Sequence, residues 1–399
     1  MKKKQSKKTK QENKKIRISN IFLVIIVALI FIGGFLKTVI FSEDINDYEN
    51  RTTYKYTKPT IKNITDKEFQ DNIELVLSDQ LPLSTTMKKK YNEFNSSMNY
   101  NIMKTFTRNN CENRYITMMP GVTTFDCDDV LVWGTSSLEH DKASLDLRIK
   151  NINNAIKSTK ATVYVYYIEK DTDINFETNK KSNISNYVME NIKTNNTHIY
   201  KINSFEEFKR DFYKTDHHWN YEGSYRGYLE LAELLDVENP IKHKEKRCIE
   251  KSYTGSKANT SGASKIYIED FCAYDYDVPN HKVTVDGKES IYSRFSLQEG
   301  TPTTYGGYYG WDNAEIIFDY NQPKRENILL IGESYDNAII ELIGSHFNKT
   351  YSIDLRHYER TFGKKFNYTK YIKEHNIEKV ILIGNIDYFT SETFNLEVE

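Results

Sequence analysis

Cysteine is scarce, with 4 in 399 residues, and no Cys-x-x-Cys pair or close Cys/His cluster occurs, so the spacings that build a zinc site are missing. An excess of positive charge to meet a nucleic acid is also missing. Lys and Arg number 55 against 56 Asp and Glu, and nine of the basic residues fall in residues 1–17 beside a single acid, Glu12. The remaining 46 basic and 55 acidic residues give the rest of the chain a net charge of −9, the wrong sign for neutralising phosphates. Internal repeats are absent, which leaves a globular domain and not a repeat array. No small-residue cleavage site of the Ala-x-Ala kind follows the one long apolar run, so a removable signal peptide is not indicated.

That run extends from Ile18 to Phe41, broken by Ser19, Asn20, Gly33, Gly34, Lys37 and Thr38. At about 1.5 Å per residue it can span a bilayer core of about 30 Å. It is expected to be an uncleaved transmembrane signal anchor, with the basic tail of residues 1–17 in the cytoplasm and residues 42–399 outside the cell membrane. Cysteine usage fits an exported chain. Four cysteines allow three pairings that sequence does not decide. Pairing between near neighbours, Cys111 with Cys127 and Cys248 with Cys272, is the expectation, and free buried thiols are the alternative.

Residues 42–66 are polar and Tyr-rich and read as a stalk. Phe69 to Phe94 reads as two short helices broken at Asp79-Gln80-Leu81-Pro82, and Asn95 to Cys127 as loop with short strands; together residues 42–128 form an extracytoplasmic stalk and irregular region. The globular domain, 129–399, opens with Val130–Trp133 as a strand and continues with helix 138–156, strand 161–168, helix 184–192, strand 198–202 and helix 221–235. After a Gly-, Ser-, Thr- and Tyr-rich insertion at 238–322, strand 327–331, helix 334–343, strand 350–355, helix 368–375 and strand 379–384 resume the rhythm. Such alternation predicts an α/β fold with a parallel sheet covered by helices. The insertion is expected to lie over the active face.

Thr215-Asp216-His217-His218-Trp219 carries the strongest chemical signal. In extended chain, residues i and i+2 project to one side, so Asp216 can hold the His218 ring and stabilise the imidazolium it becomes. The competing role for Asp216 is to cap the helix that follows. A nucleophile must come from elsewhere. Ser334, in Ile331-Gly332-Glu333-Ser334-Tyr335, stands where a buried strand meets a helix, with backbone N–H groups and the helix dipole aimed at an incoming oxyanion. Helix capping is the bland alternative for Ser334. Ser136, in Gly134-Thr135-Ser136, occupies a similar strand-to-helix position and is the second candidate.

Thr215 to Trp219 resembles the signature of the DHHW family of exported proteins, related to the periplasmic subunits of alginate O-acetylation and through them to the SGNH hydrolases and acyltransferases. Asp79-Gln80-Leu81-Pro82, Tyr253-Thr254-Gly255-Ser256, Tyr305-Gly306-Gly307, Gly332-Glu333-Ser334-Tyr335 and Ile353-Asp354-Leu355-Arg356 follow in the family's order. The resemblance implies an SGNH-like three-layer domain, a nucleophile that follows the Asp-x-His pair, hence Ser334, and no cofactor. It also implies an O-acyltransferase acting on a cell-surface or secreted polysaccharide, with the acyl group supplied by a membrane-bound O-acyltransferase partner. An esterase using the same three residues, or a non-catalytic assembly protein, are the alternatives. Gly307, Tyr335, Trp219 and Arg356 are the expected substrate or oxyanion residues. This chain departs from the family in having Gly-Glu-Ser for Gly-Asp-Ser, and Tyr308 where an Asn often follows the Gly-Gly pair.

Overall fold

The structure is a computed structural model. It describes residues 51–81, 83–106, 115–119, 122–290 and 304–398, with 21–29, 32–34, 36, 38, 42, 45 and 46. The chain divides into two compact units, Met1–Phe94 and Asn95–Glu399. In the first, helix Ile61–Thr65 starts at a capping box in which Thr60 and Asn63 satisfy each other's backbone N–H groups. Helix Glu68–Gln80 stops at Leu81, which is extended because it precedes Pro82. Of the expected anchor, residues 21–29, 32–34, 36 and 38 are helical and the rest lies outside the described residues. Among the described residues no helix is long and apolar enough to cross a membrane. The basic tail also lies outside them.

The second unit is built on an eight-stranded mixed sheet. Five strands are parallel, in the spatial order Lys349–Ile353, Ile328–Ile331, Lys379–Gly384, Thr162–Ile168, Thr197–Tyr200. Their residues alternate between two apolar clusters. Ile328, Leu330, Ile381, Ile383, Tyr164 and Tyr166 face one, with Tyr228 and Leu231 of helix Tyr221–Leu234. Leu329, Ile331, Val380, Leu382, Val163 and Val165 face the other, with Leu145, Ile149 and Ile152 of helix Leu138–Lys157. Two covered faces make three layers, which is why Ile328–Ile331 is an unbroken apolar run with every residue fully buried.

Three readings of the sequence are corrected. Val130–Trp133 does not open the parallel sheet; it pairs antiparallel with Val122–Cys127 in a separate three-stranded sheet, because four apolar residues do not reveal which edge they will pair with. Residues 95–106 continue the long helix Ser84–Phe106 where loop was expected. Part of the 238–322 insertion extends the main sheet. Lys282–Val285 and Glu315–Asp319 add antiparallel strands at its edge, and the Asp286-Gly287 turn to Lys288–Ser290 has positive φ at both positions, the geometry of a two-residue hairpin. Within the same insertion His243–Tyr253 pairs with Glu269–Tyr276, and the facing Cys248 and Cys272 form a disulfide. Cys127 is also disulfide-bonded; Cys111, its expected partner, lies outside the described residues.

Candidate active site

From strand Ile328–Ile331 the chain passes to Lys349–Ile353 on one flank of that strand and then crosses to Lys379–Gly384 on its other flank. That reversal leaves a crevice at the carboxyl end of Ile328–Ile331, the place where open parallel sheets bind ligands. Ser334 stands there, half-buried. Gly332 makes the turn possible, since a Cβ would fall 2.3 Å from Asp336 Oδ2. Glu333 turns away from Ser334 and accepts the Asn385 N–H at 3.0 Å; burial, with Asp387 nearby, pushes its carboxyl up. The expected helix from Ser334 is replaced by a 3-10 turn, Asp336–Ala338, and helix Ile340–Gly344. Tyr335 occupies the N-cap position without a side-chain cap bond, so Ser334 is not a helix cap.

Its hydroxyl instead meets His218, with Oγ 2.8 Å from Nε2. Residues 214–218 form a bent loop, not the extended segment that alternation pictured. The loop is closed at its base by a bridge between Phe212 and Trp219, and by Tyr213 N–H to His218 O at 3.2 Å and Asn220 N–H to Asp211 O at 2.8 Å. Its curvature brings His218 Nδ1 to 3.2 Å from Asp216 Oδ1. Capping of helix Tyr221–Leu234 falls to Asn220, whose side chain accepts the N–H groups of Glu222 and Gly223, so Asp216 is free of that duty. A proton on Nδ1 satisfies Asp216 and turns the Nε2 lone pair toward the Ser334 hydroxyl.

The insertion holds this loop. Asp216 Oδ1 accepts the Ser256 hydroxyl at 2.8 Å and the His217 N–H at 2.6 Å, and Oδ2 accepts the Tyr253 hydroxyl. Burial alone would raise the Asp216 carboxyl, yet the charges of the His218 and His217 rings, and the hydrogen bonds those rings make to it, hold it well below the usual range. Gly255 lets the segment approach, since a Cβ there would lie 2.3 Å from Asp216 Cβ. Glu269 accepts the N–H groups of Lys214 and Thr215, at 2.9 and 2.8 Å, and the Thr215 hydroxyl at 2.6 Å. Tyr305 lies flat on His218, centroids 3.8 Å apart and 5° between planes. Burial, then repulsion from His218, lowers His217 to about 4, and the ring stacks on Trp133 at 5.4 Å. Tyr253, Ser256 and Tyr305 belong to the short motifs quoted above, which were the available signal; nothing in the sequence singled out Glu269 or Trp133.

The other expected residues play different parts. Trp219 is wholly buried and donates from Nε1 to the Tyr335 carbonyl at 3.1 Å, while Gly227 leaves room for its ring. It therefore pins the Ser334 turn and offers no face to a sugar. Tyr335 is buried too, its hydroxyl donating to the His217 carbonyl. The backbone N–H groups of Ser334 and Tyr335 donate to no other group among the described residues, so they remain available to an oxyanion. Gly307 does not: its N–H is given to the Thr304 hydroxyl at 3.0 Å. Tyr308 packs against Phe271. Arg356 is committed to Asp354, at 2.6 Å, and to Asp312, at 3.0 Å, and ties helix Leu355–Phe362, capped by Asp354, to the loop before strand Glu315–Asp319. Ser136 makes no hydrogen bond to a histidine among the described residues, and its N–H is bonded to the Thr172 carbonyl. Ligand atoms of Asp216, His217 and His218, and of Asp312, Asp354 and His357, cluster closely enough for a metal. The first set is already taken up by Ser334, Ser256 and mutual contacts, and the second by Arg356.

The fold has known counterparts. A DHHW family protein from Eubacterium siraeum superposes with a TM-score of 0.55 at 15% identity, over 71% of this chain and 98% of that one. The chain has the fold of a DHHW family protein. PatB1 of Bacillus cereus, solved also with a sulfonyl adduct, superposes with a TM-score of 0.54 at 18% identity, over 69% of this chain and 99% of that one. No family model matches the sequence, and no curated protein matches it. At this identity the DHHW likeness concerns architecture, and chemistry has to be argued from the site.

Proposed function

We propose that the chain is a membrane-anchored, extracytoplasmic O-acyltransferase, acetyl being the expected group, that modifies a cell-surface or secreted polysaccharide. One observation carries this: the unbroken contact from Asp216 through His218 to Ser334, with 3.2 Å at Nδ1 and 2.8 Å at Nε2. Ser334 Oγ bonds to the acyl carbon as its proton passes to His218 Nε2, and the carbonyl electron pair moves onto oxygen beside the N–H groups of Ser334 and Tyr335. Collapse expels the donor's leaving group, which takes the proton from His218, and leaves an ester on Ser334. A sugar hydroxyl then attacks that ester, His218 again relaying the proton, and the Ser334 hydroxyl is regenerated. The depressed Asp216 carboxyl stays ionised throughout and stabilises the imidazolium. The intact contacts count against a decayed, purely structural site. The run 18–41 is assigned as the anchor, which keeps the site near a membrane-bound O-acyltransferase that supplies the acyl group.

Treating the full-length protein with an aryl sulfonyl fluoride and mapping the adduct tests the nucleophile. Labelling of Ser334, lost in Ser334→Ala, is expected; labelling of Ser136 would overturn the assignment. Incubation with an activated acetyl ester and oligosaccharide tests the acceptor. Acetylated sugar is expected, and free acetate alone would make the protein an esterase.

A further inference from the structure

Beyond the Trp133 ring lies a cavity of about 430 Å³, within the range of about 300–1,000 Å³ typical of small-ligand sites. Trp133, Thr135, Ser136, Lys170, Thr172 and Asp387 are in its wall. Lys170 and Thr172 follow strand Thr162–Ile168 and Asp387 follows strand Lys379–Gly384, so the cavity sits at the same end of the sheet as Ser334. The Trp133 ring stacks on His217 at 5.4 Å and His217 touches His218 at 3.9 Å. One indole and one imidazole thus connect the cavity wall to the ring that meets Ser334. A second cavity, of about 280 Å³, shares Trp133, Gly134 and Thr135 with the first. The two meet at that exposed loop.

Three observations describe what would fill them. Trp133 Nε1 and Thr172 Oγ1, atoms of two wall residues, are buried without a hydrogen-bond partner among the described residues, an uncommon state for polar atoms. Asp387 Oδ2 accepts from Lys170 Nζ at 2.8 Å while its side chain stays 66% exposed, with Oδ1 unpaired among the described residues. The charged residues lining the two cavities are Asp141, Lys170, Asp387 and Glu177. Lys170 is the one cation, and it is already bound to Asp387. Hydroxyls and exposed carboxylate suit a polyhydroxylated ligand, and the surplus of negative charge repels an anionic one.

We infer that this pair of cavities is the acceptor site and takes a chain of neutral sugars, in preference to uronate, sulfated or phosphorylated ones. Two adjoining cavities suit consecutive residues of a polymer. The assignment rests on acyl transfer at Ser334, since it names the second substrate of that site, and its test is kept separate from that chemistry.

Binding is measured by calorimetry on the full chain carrying Ser334→Ala, which does not turn over, with cellotetraose as the neutral probe and tetragalacturonate as the acidic one, at low salt. The neutral probe is expected to bind at least tenfold more tightly. Thr135→Trp, which fills the junction from an exposed loop, should raise its Kd at least tenfold with no change in Tm; Thr390→Trp on the opposite wall serves if Thr135→Trp does not fold. Equal or tighter binding of tetragalacturonate, no binding of either probe, or a Kd unmoved by the filling substitution overturns the assignment. Wild-type protein is assayed in parallel for a burst with an activated acetyl ester. A missing burst with sugar binding intact refutes acyl transfer and leaves the saccharide site; a burst without sugar binding does the reverse.

Discussion

Asp216→Asn separates a working Asp216–His218–Ser334 relay from a merely structural loop. The amide oxygen can take the place of Oδ1 and keep the bonds from Ser256 and the His217 N–H, while the amide nitrogen faces the Tyr253 oxygen, which can accept. The fold should therefore survive, with a Tm within a few degrees of wild type. What disappears is the charge opposite the imidazolium. At the 3.2 Å separation of His218 Nδ1 and Asp216 Oδ1 and an effective dielectric of about 20, that charge is worth about 5 kcal/mol. Each decade in rate is about 1.4 kcal/mol, so a fall approaching 10⁴-fold is expected, the size of effect known for the same substitution in serine proteases. The assay is pre-steady-state acylation by an activated acetyl ester, followed by the burst of leaving group, beside a melting curve. A folded Asp216→Asn protein that acylates within tenfold of wild type would refute the relay.

The insertion's grip on the loop can be tested at Gly255, where Gly255→Ala places a methyl against Asp216; it should cost about 1–3 kcal/mol in urea unfolding and slow acylation by at least tenfold, and a neutral effect on both would contradict the packing. Removing the Cys248–Cys272 bridge, which spans 24 residues, by paired Ser substitutions should lower stability by about 3 kcal/mol, read from chemical denaturation under otherwise identical conditions. His217 is held at about 4 against an ordinary 6.5. Between those values the unfolded chain takes up a proton that the folded one refuses, so stability should fall as pH drops from 6.5 through 4, by about 3 kcal/mol in all. Urea midpoints across that window for wild type and His217→Asn check this: the slope should be shallower in the variant, and an equal slope would place the titration elsewhere.

Periodicity alone determined most of the alternation of strands and helices in 162–234 and 328–384, because amphipathic helices and strands buried on both faces leave clear apolar patterns; it did not place the strands of the insertion or the 3-10 turn after Ser334. Val130–Trp133 shows the limit of that signal: a short apolar run states that a strand forms and leaves its neighbours open, and pairing is set by what the chain brings alongside. The local order of residues likewise put Asp216 beside His218 and Ser334 after a buried strand. Sequence could not decide whether these serine and histidine elements, 116 residues apart, ever meet. Tertiary structure decided it, by reversing strand order beside Ile328–Ile331 and by closing the 214–218 loop under Trp219. It also reassigned Trp219 from substrate to scaffold, since burial depends on Gly227 leaving a space for the ring, and withdrew the Gly307 N–H by giving it to Thr304. Glu269 was invisible beforehand for the same reason: a carboxylate that anchors a loop 54 residues away acts through a position in space that no local pattern records.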